Sequence, residues 1–395
     1  MNAFAWTWEA HKVRIHASRF HHERGGISAE CVVEKQVGAE WTRFTSYRIS
    51  LTSISGRRDF IKELKELWQG PDWVTIIHQL CDRTLAAYRA GEQSQASQGE
   101  QLPEMDTYIL NPLLFAGHTS ILYGPGDSGK SVLSVLAALL LAQGGNAAGL
   151  AAGGGFTPLL LDWERAYSTF DSRVRSLTIG HPELADAKDK LWYQRMHQPL
   201  HESIEDVSET IQARKADVLI LDSLGMAAGG DLNSPEAATR LFEAIRTLDL
   251  PALIIGHTAK STEGDKTVFG SAFFFNLASS VWEVAADHQE ESSTLSLGLY
   301  NRKNNLGPRR KPFGLSIAFT GESCTVSEAN LSESPTLSAK LSRAQRIKSL
   351  LLDHQFRGLV QIADTLDDDP HAIRTELNRH KGKLWDKVGE EWGIL

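Results

Sequence analysis

The chain is poor in sulfur: only three cysteines, Cys31, Cys81 and Cys324, occur in 395 residues. They lie far apart and form no C-x-x-C pair. This argues against a disulfide framework and for free thiols in a reducing, cytoplasmic compartment. The first residues, Met1-Asn2-Ala3-Phe4-Ala5-Trp6, meet Glu9, His11 and Lys12 before any apolar run builds up, so no secretory leader is expected. Long unbroken apolar runs are also lacking. The most apolar stretch, Val132 to Leu161, is cut by Gly144-Gly145-Asn146 and Gly153-Gly154-Gly155, so it reads as core helix and glycine loop and not as a membrane span. There is no excess of positive charge either: 41 Lys+Arg stand against 49 Asp+Glu, a formal net charge of -8. A surface coated in cations is excluded, whereas a narrow basic channel is not.

One stretch organises the rest. Gly124-Pro125-Gly126-Asp127-Ser128-Gly129-Lys130-Ser131 reads G-x-x-x-x-G-K-S, the phosphate-cradling loop of nucleoside triphosphatases. An apolar strand-like run, Thr119 to Tyr123, precedes it, and a helix former, Ser131 to Leu141, follows. The glycines let successive N–H groups curl around phosphate oxygens, and the helix points its positive end at the same anion. Lys130 supplies a point charge for the terminal phosphates of ATP, and Ser131 a hydroxyl for Mg²⁺.

The fold class expected is α/β. Residues 1–92 read as a small α+β accessory domain, with β-branched and aromatic runs followed by helices over Arg58–Trp68 and after Pro71-Asp72. Its Trp, Arg and His content, including His21-His22, fits sheet aromatics with a solvated rim better than a metal or nucleic-acid site. A polar linker spans 93–104. Residues 105–320 alternate strand-like and helix-like runs, which implies a mainly parallel sheet with ligand at the carboxyl ends of its strands. After Gly270, the runs Val281–Ala285, Leu295–Tyr300 and Gly314–Phe319 are expected as antiparallel strands extending that sheet. A second linker is expected over 321–339, and a winged helix-turn-helix-like domain over 340–395. Asp368 or Asp369 would cap its third helix. That helix offers Arg374 and Arg379 to DNA; the tail is close to neutral, so a protein contact fits as well.

Four further features belong near the nucleotide. Asp162-Trp163-Glu164 follows a strand, and Glu164 is the candidate for orienting the attacking water, since Asp162 falls within the strand. Ala216 to Asp222 is an apolar strand ending in Asp, and Asp222 would share the metal with Ser131. His257 ends the next strand as a candidate γ-phosphate sensor. Lys260 and Lys266 in the polar loop after it are candidates for gripping DNA. Tyr300 to Lys311 is the most basic stretch; Arg302 and Lys303 are candidates for a cation acting across a subunit boundary, and Arg309 and Arg310 lie nearby.

This set, with Leu161-Asp162-Trp163-Glu164, Asp222-Ser223, His257-Thr258-Ala259-Lys260, Gly270-Ser271 and Lys303-Asn304-Asn305-Leu306-Gly307, resembles the RecA-like core of the RepA-type hexameric replicative helicases and, more distantly, the bacterial DnaB class. The resemblance covers roughly 105–320. It implies that Lys130 and Ser131 bind phosphate and Mg²⁺ and that Glu164 activates water. Asp222 would serve the metal, His257 would couple nucleotide to DNA, and Arg302 or Lys303 would act in trans. RepA-type enzymes tend to carry a His pair where this chain has Gly256-His257. The minimal family members also lack the N-terminal unit and the tail, additions common in phage, plasmid and integrated-element enzymes. The expected function is an ATP-driven motor on single-stranded DNA, a homo-oligomer of about six subunits. The alternatives are a recombination or loading ATPase that does not unwind, and a nucleotide-switched DNA-binding regulator.

Overall fold

The computed structural model describes residues 4–23, 26–90, 108–258, 268–288, 293–331, 334–352 and 355–395. The chain divides into two compact units, Met1–Gln101 and Leu102–Leu395. Among the described residues no helix is long and apolar enough to cross a membrane. The three cysteines are free and buried, and burial pushes the thiols of Cys81 and Cys324 up to about 11.

In the first unit, β1 (Phe4–Trp8), β2 (Val13–Glu23), β3 (Gly26–Val37) and β4 (Glu40–Ser50) form an antiparallel sheet in chain order. Two-residue alternation puts Val13, Ile15, Ala17, Ala29, Cys31 and Val33 on one face. That face is covered by α1 (Ile54–Leu67) and α2 (Trp73–Ala90), which bury Phe60, Leu64, Trp73, Ile76, Ile77 and Leu80. Ser53 caps α1 by accepting from the Gly56 N–H at 3.3 Å. The indoles of Trp6 and Trp8 donate to Thr84 Oγ1 and Gln79 Oε1 at 3.0 and 2.8 Å, so these aromatics are spent on packing strand to helix. The side chains of His21 and His22 lie outside the described residues, as does the expected linker at 93–104.

The second unit starts with β5 (Tyr108–Asn111), β6 (Leu114–Phe115), β7 (Thr119–Gly124) and α3 (Lys130–Gln143). Next come β8 (Gly145–Ala147), β9 (Leu150–Ala152), β10 (Pro158–Asp162), α4 (Tyr167–Gly180) and β11 (Trp192–Arg195). It continues through α5 (Ile204–Arg214), β12 (Val218–Asp222), α6 (Leu224–Ala228), α7 (Pro235–Leu248), β13 (Ala252–His257) and α8 (Ala272–Leu277). The strands β14 (Ser280–His288), β15 (Thr294–Asn304), β16 (Phe313–Thr320) and β17 (Ser323–Ala329) follow. Nine of these strands make one sheet in the order β11-β10-β12-β13-β7-β14-β15-β16-β17, and β6-β5-β9-β8 make a small second sheet. The central strands are buried on both faces. Ile220, Leu253 and Ile255 point to the side of α3 and α4, whereas Leu219, Leu221 and Ile254 point to the side of α6 and α7. Helix α3 buries Val132 to Ala142 all round, which is why its sequence shows no polar stripe.

The register sets the site. Strands β13 and β14 flank the loop-bearing β7, and β12 and β10 lie beyond β13. Asp162 pairs level with Asp222, and His257 with Gly124, so four strand ends finish on one edge.

Two expectations are corrected. Strand β14 runs parallel to β7, not antiparallel, with Ser280 opposite Ser120 and Glu283 opposite Tyr123; only β15, β16 and β17 alternate in direction. The segment between β13 and β14 contains α8 and is long enough for the crossover that a parallel pair needs. The stretch 321–339, expected as linker, contains β17, which pairs with β16 and buries Cys324 and Val326, and the short helix α9 (Pro335–Ser338). Its Ser and Glu residues hid a two-residue alternation.

The tail holds α10 (Arg343–Leu351), β18 (Arg357–Gly358), α11 (Leu359–Leu366), α12 (Pro370–Arg379), β19 (Trp385–Val388) and β20 (Glu391–Ile394). These elements close on Ile347, Leu351, Ile362, Ile373, Leu377, Trp385 and Trp392. Asp369 caps α12 by accepting from the Ala372 N–H at 2.9 Å. Asp368 instead pairs with Arg343 and Arg346 of α10, and the Arg343 bond holds its carboxyl below the usual range.

Candidate functional site

The loop after β7 closes over its own backbone. Gly129 stands at φ +69°, a left-handed backbone angle that favours glycine, and a Cβ there would press on the Ile317 Cδ1 methyl at 2.7 Å. Ser128 Oγ donates to the Pro125 carbonyl at 2.8 Å. Lys130 Nζ donates to the Gly124 carbonyl at 3.0 Å, to Ser128 Oγ at 3.2 Å and to the Pro125 carbonyl. Burial pulls the Lys130 ammonium down to about 8, while Asp222 and Glu164 oppose that shift.

Beside the loop, the turn after β10 is tied down by its first residue. Asp162 Oδ1 accepts from the Glu164 and Arg165 N–H groups at 2.8 and 2.9 Å. Trp163 anchors the turn through its indole, which donates to the Gln198 carbonyl at 2.8 Å. Glu164 therefore leaves the strand facing the loop. Its Oε1 accepts from Ser223 Oγ at 2.5 Å and lies 3.7 Å from His257 Nε2.

Asp222 is buried at the end of β12. Arg165 Nη1 lies 3.0 Å from its Oδ2, and the nearby Ser131 hydroxyl favours its charged form. Burial pushes the Asp222 carboxyl up, and Arg165 pulls it back. One hydroxyl and one carboxylate lining the same cavity fit Mg²⁺, which takes oxygen ligands, keeps several waters and needs only one or two protein carboxylates beside substrate phosphates.

These groups line one open cavity of about 370 Å³: Asp127 to Val132 from the loop, Glu164, Arg165, Asp222 and His257 from the strand ends, and Arg173 from α4. Arg165 and Arg173 escaped the sequence reading. The signal for Arg165 was its place directly after Glu164. Arg173 had none, because it sits beside the buried Val174 on an otherwise ordinary amphipathic helix. Burial and the nearby Arg165 lower the pKa of Arg173. His288, Ser293, Thr294, Leu295 and Phe319 also line the cavity and were likewise missed.

Other sequence candidates lie away from this cavity. Arg302 binds Glu283 through Nε and Nη2, at 2.8 and 2.6 Å, and Lys340 binds the other oxygen of the same carboxylate. Lys303 Nζ donates to the carbonyls of Phe275, Asn276 and Ala278 at 3.0, 2.7 and 2.7 Å, so its three protons satisfy the end of α8. Arg310 Nε donates to the Tyr108 hydroxyl at 2.8 Å, and Arg309 is exposed. Arg374 and Arg379 are exposed on α12, the latter 3.0 Å from Glu376. Lys260 and Lys266 lie outside the described residues.

Comparison with known proteins bears on this geometry. No curated protein matches the chain. A crystal structure of a KaiC-like protein from the hyperthermophilic archaeon Pyrococcus horikoshii OT3 is similar over 58% of this chain and 96% of that one, with 13% identity and a TM-score of 0.41. Residues 86–263 match the family model described as an AAA domain, and they include the phosphate loop, Glu164, Asp222 and His257. The chain is thus similar to an AAA domain over the segment that carries the phosphate loop and the acidic strand ends.

Proposed function

We propose that the protein is an ATP-hydrolysing motor that assembles as a ring of about six subunits and translocates on single-stranded DNA, as a replicative helicase does. The observation that carries this reading is the convergence of Gly124–Ser131, Glu164, Asp222 and His257 on one open cavity at level strand ends. Loop N–H groups and Lys130 hold the phosphates. Ser131 and Asp222 would hold Mg²⁺, which would neutralise phosphate charge when bound. Glu164 orients the attacking water and takes its proton. His257, in reach of Glu164, reports the state of the terminal phosphate to the loop carrying Lys260 and Lys266. Arg302 is the better trans-acting cation, because Lys303 has spent its donors; Arg302 would exchange Glu283 for a phosphate across the subunit boundary. Arg374 and Arg379 give the tail a contact with duplex DNA.

The deciding experiment measures ATPase rate with and without single-stranded DNA, together with the mass of the assembled particle and unwinding of a forked duplex. Stimulated turnover in a ring that unwinds the fork is expected. Turnover by a solitary protomer, indifferent to DNA, overturns the motor reading and leaves only the ATPase.

A further inference from the structure

Ser223 occupies the N-cap of α6 with extended backbone angles, φ −128° and ψ 167°, yet its side chain makes no capping bond. Serine in that position ordinarily accepts from the exposed N–H groups of the first helical turn. Here the hydroxyl donates instead to Glu164 Oε1 at 2.5 Å. Adjacent parallel strands arrange the meeting. Asp162 and Asp222 are in register, so Ser223, one residue past β12, and Glu164, two past β10, stand side by side. The serine is 2% exposed and cannot swing away, whereas the Glu164 side chain is one-third exposed, facing the cavity. His257 addresses the same oxygen. Among the described residues no hydrogen bond or ion pair falls on Oε2 of Glu164.

We propose that Ser223 is a positioning residue for Glu164: its hydroxyl pins Oε1, so that Oε2 is held toward the water that attacks the terminal phosphate. The inference rests on Glu164 being the base. A glutamate has three rotatable bonds, and an unpinned carboxylate spreads its charge over a volume wider than a single attack geometry, which costs rate and not affinity. Ser223 touches neither nucleotide nor water in this scheme; it acts through Glu164 alone.

The test uses the full-length protein, with steady-state ATPase and the affinity of a fluorescent non-hydrolysable ATP analogue as separate readouts. Ser223→Ala is expected to lower kcat by about 10- to 100-fold, with KM and analogue affinity within about twofold of the original. Ser223→Thr, which keeps the hydroxyl, should restore most of the rate. In a Glu164→Gln background, adding Ser223→Ala should leave the single-turnover rate unchanged, because the pinned group is already disabled. Full turnover in Ser223→Ala, a Ser223→Thr variant as slow as Ser223→Ala, or an equal loss in the Glu164→Gln background each overturns the proposal. If Glu164→Gln itself turns over normally, the base assignment falls, and this inference with it. If Glu164→Gln is slow and Ser223→Ala is not, only this inference falls.

Discussion

Arg165 Nη1 lies 3.0 Å from Asp222 Oδ2, on the buried carboxylate proposed to serve Mg²⁺. Arg165 thus supplies a positive charge that makes this buried acid tolerable. Because burial raises the Asp222 pKa in the native state, its charged form is disfavoured there; the cost builds as pH rises from the unfolded carboxylate range toward that raised native value and stays constant above it. Arg165→Ala removes the main opposing influence. It should destabilise the nucleotide-free protein by about 2 kcal/mol at pH 7, below the roughly 3–5 typical of a fully buried pair because Arg165 is partly solvated. The loss should shrink in acid, where Asp222 is protonated. Denaturant melts at pH 7 and at a descending series of pH values check this, and a loss independent of pH would refute it.

Lys130 titrates near 8 in the nucleotide-free protein, because burial lowers it. Phosphates require the ammonium. Below pH 8 the charge is already present; above it, binding must take up a proton, so ATP affinity should fall toward tenfold per pH unit. Calorimetry at pH 9 in buffers of different ionisation enthalpy should show proton uptake that disappears at pH 7. Lys130→Ala should abolish both binding and its pH dependence.

Glu164→Gln should bind nucleotide as before and hydrolyse it at least ~100-fold more slowly, the scale for losing a positioned base. Mixed with Arg302→Ala subunits, it should regain part of its activity if one site is built from two protomers. Turnover of mixtures against ratio measures this. A linear dilution with no rescue, in particles of unchanged mass, would remove Arg302 from the neighbouring site.

Arg374→Ala and Arg379→Ala together should weaken duplex binding by the tail about evenly across sequences and reduce the salt slope by about two. Fluorescence anisotropy over a salt series is the measurement. An unchanged slope assigns this face of α12 to protein contact.

Much of the site was legible in the chain because its parts are short and local. Gly124 to Ser131 needs only backbone freedom, a helix start and one ammonium, all contiguous. Apolar runs ending in Asp162, Asp222 and His257 read as buried strands because both faces of the sheet are covered. Arg165, Arg173 and Ser223 were not legible as partners. Each depends on which strand lies beside which, and that is settled by sheet order and not by spacing along the chain.

The same boundary separates the two cations of the basic stretch. Sequence alone placed Arg302 and Lys303 next to each other as equals; the fold gives Lys303 to the carbonyls closing α8 and Arg302 to Glu283, because a β-strand sends neighbouring side chains to opposite faces. Likewise, β17 was invisible among serines, since a strand at the sheet edge needs only Cys324 and Val326 buried. Composition and local pattern determined the phosphate loop, the α/β class and the strand ends that carry acids. Tertiary structure alone decided strand direction at β14, the company of each charged group and the shape of the cavity, because hydrogen bonding between strands brings together residues that no local interaction links.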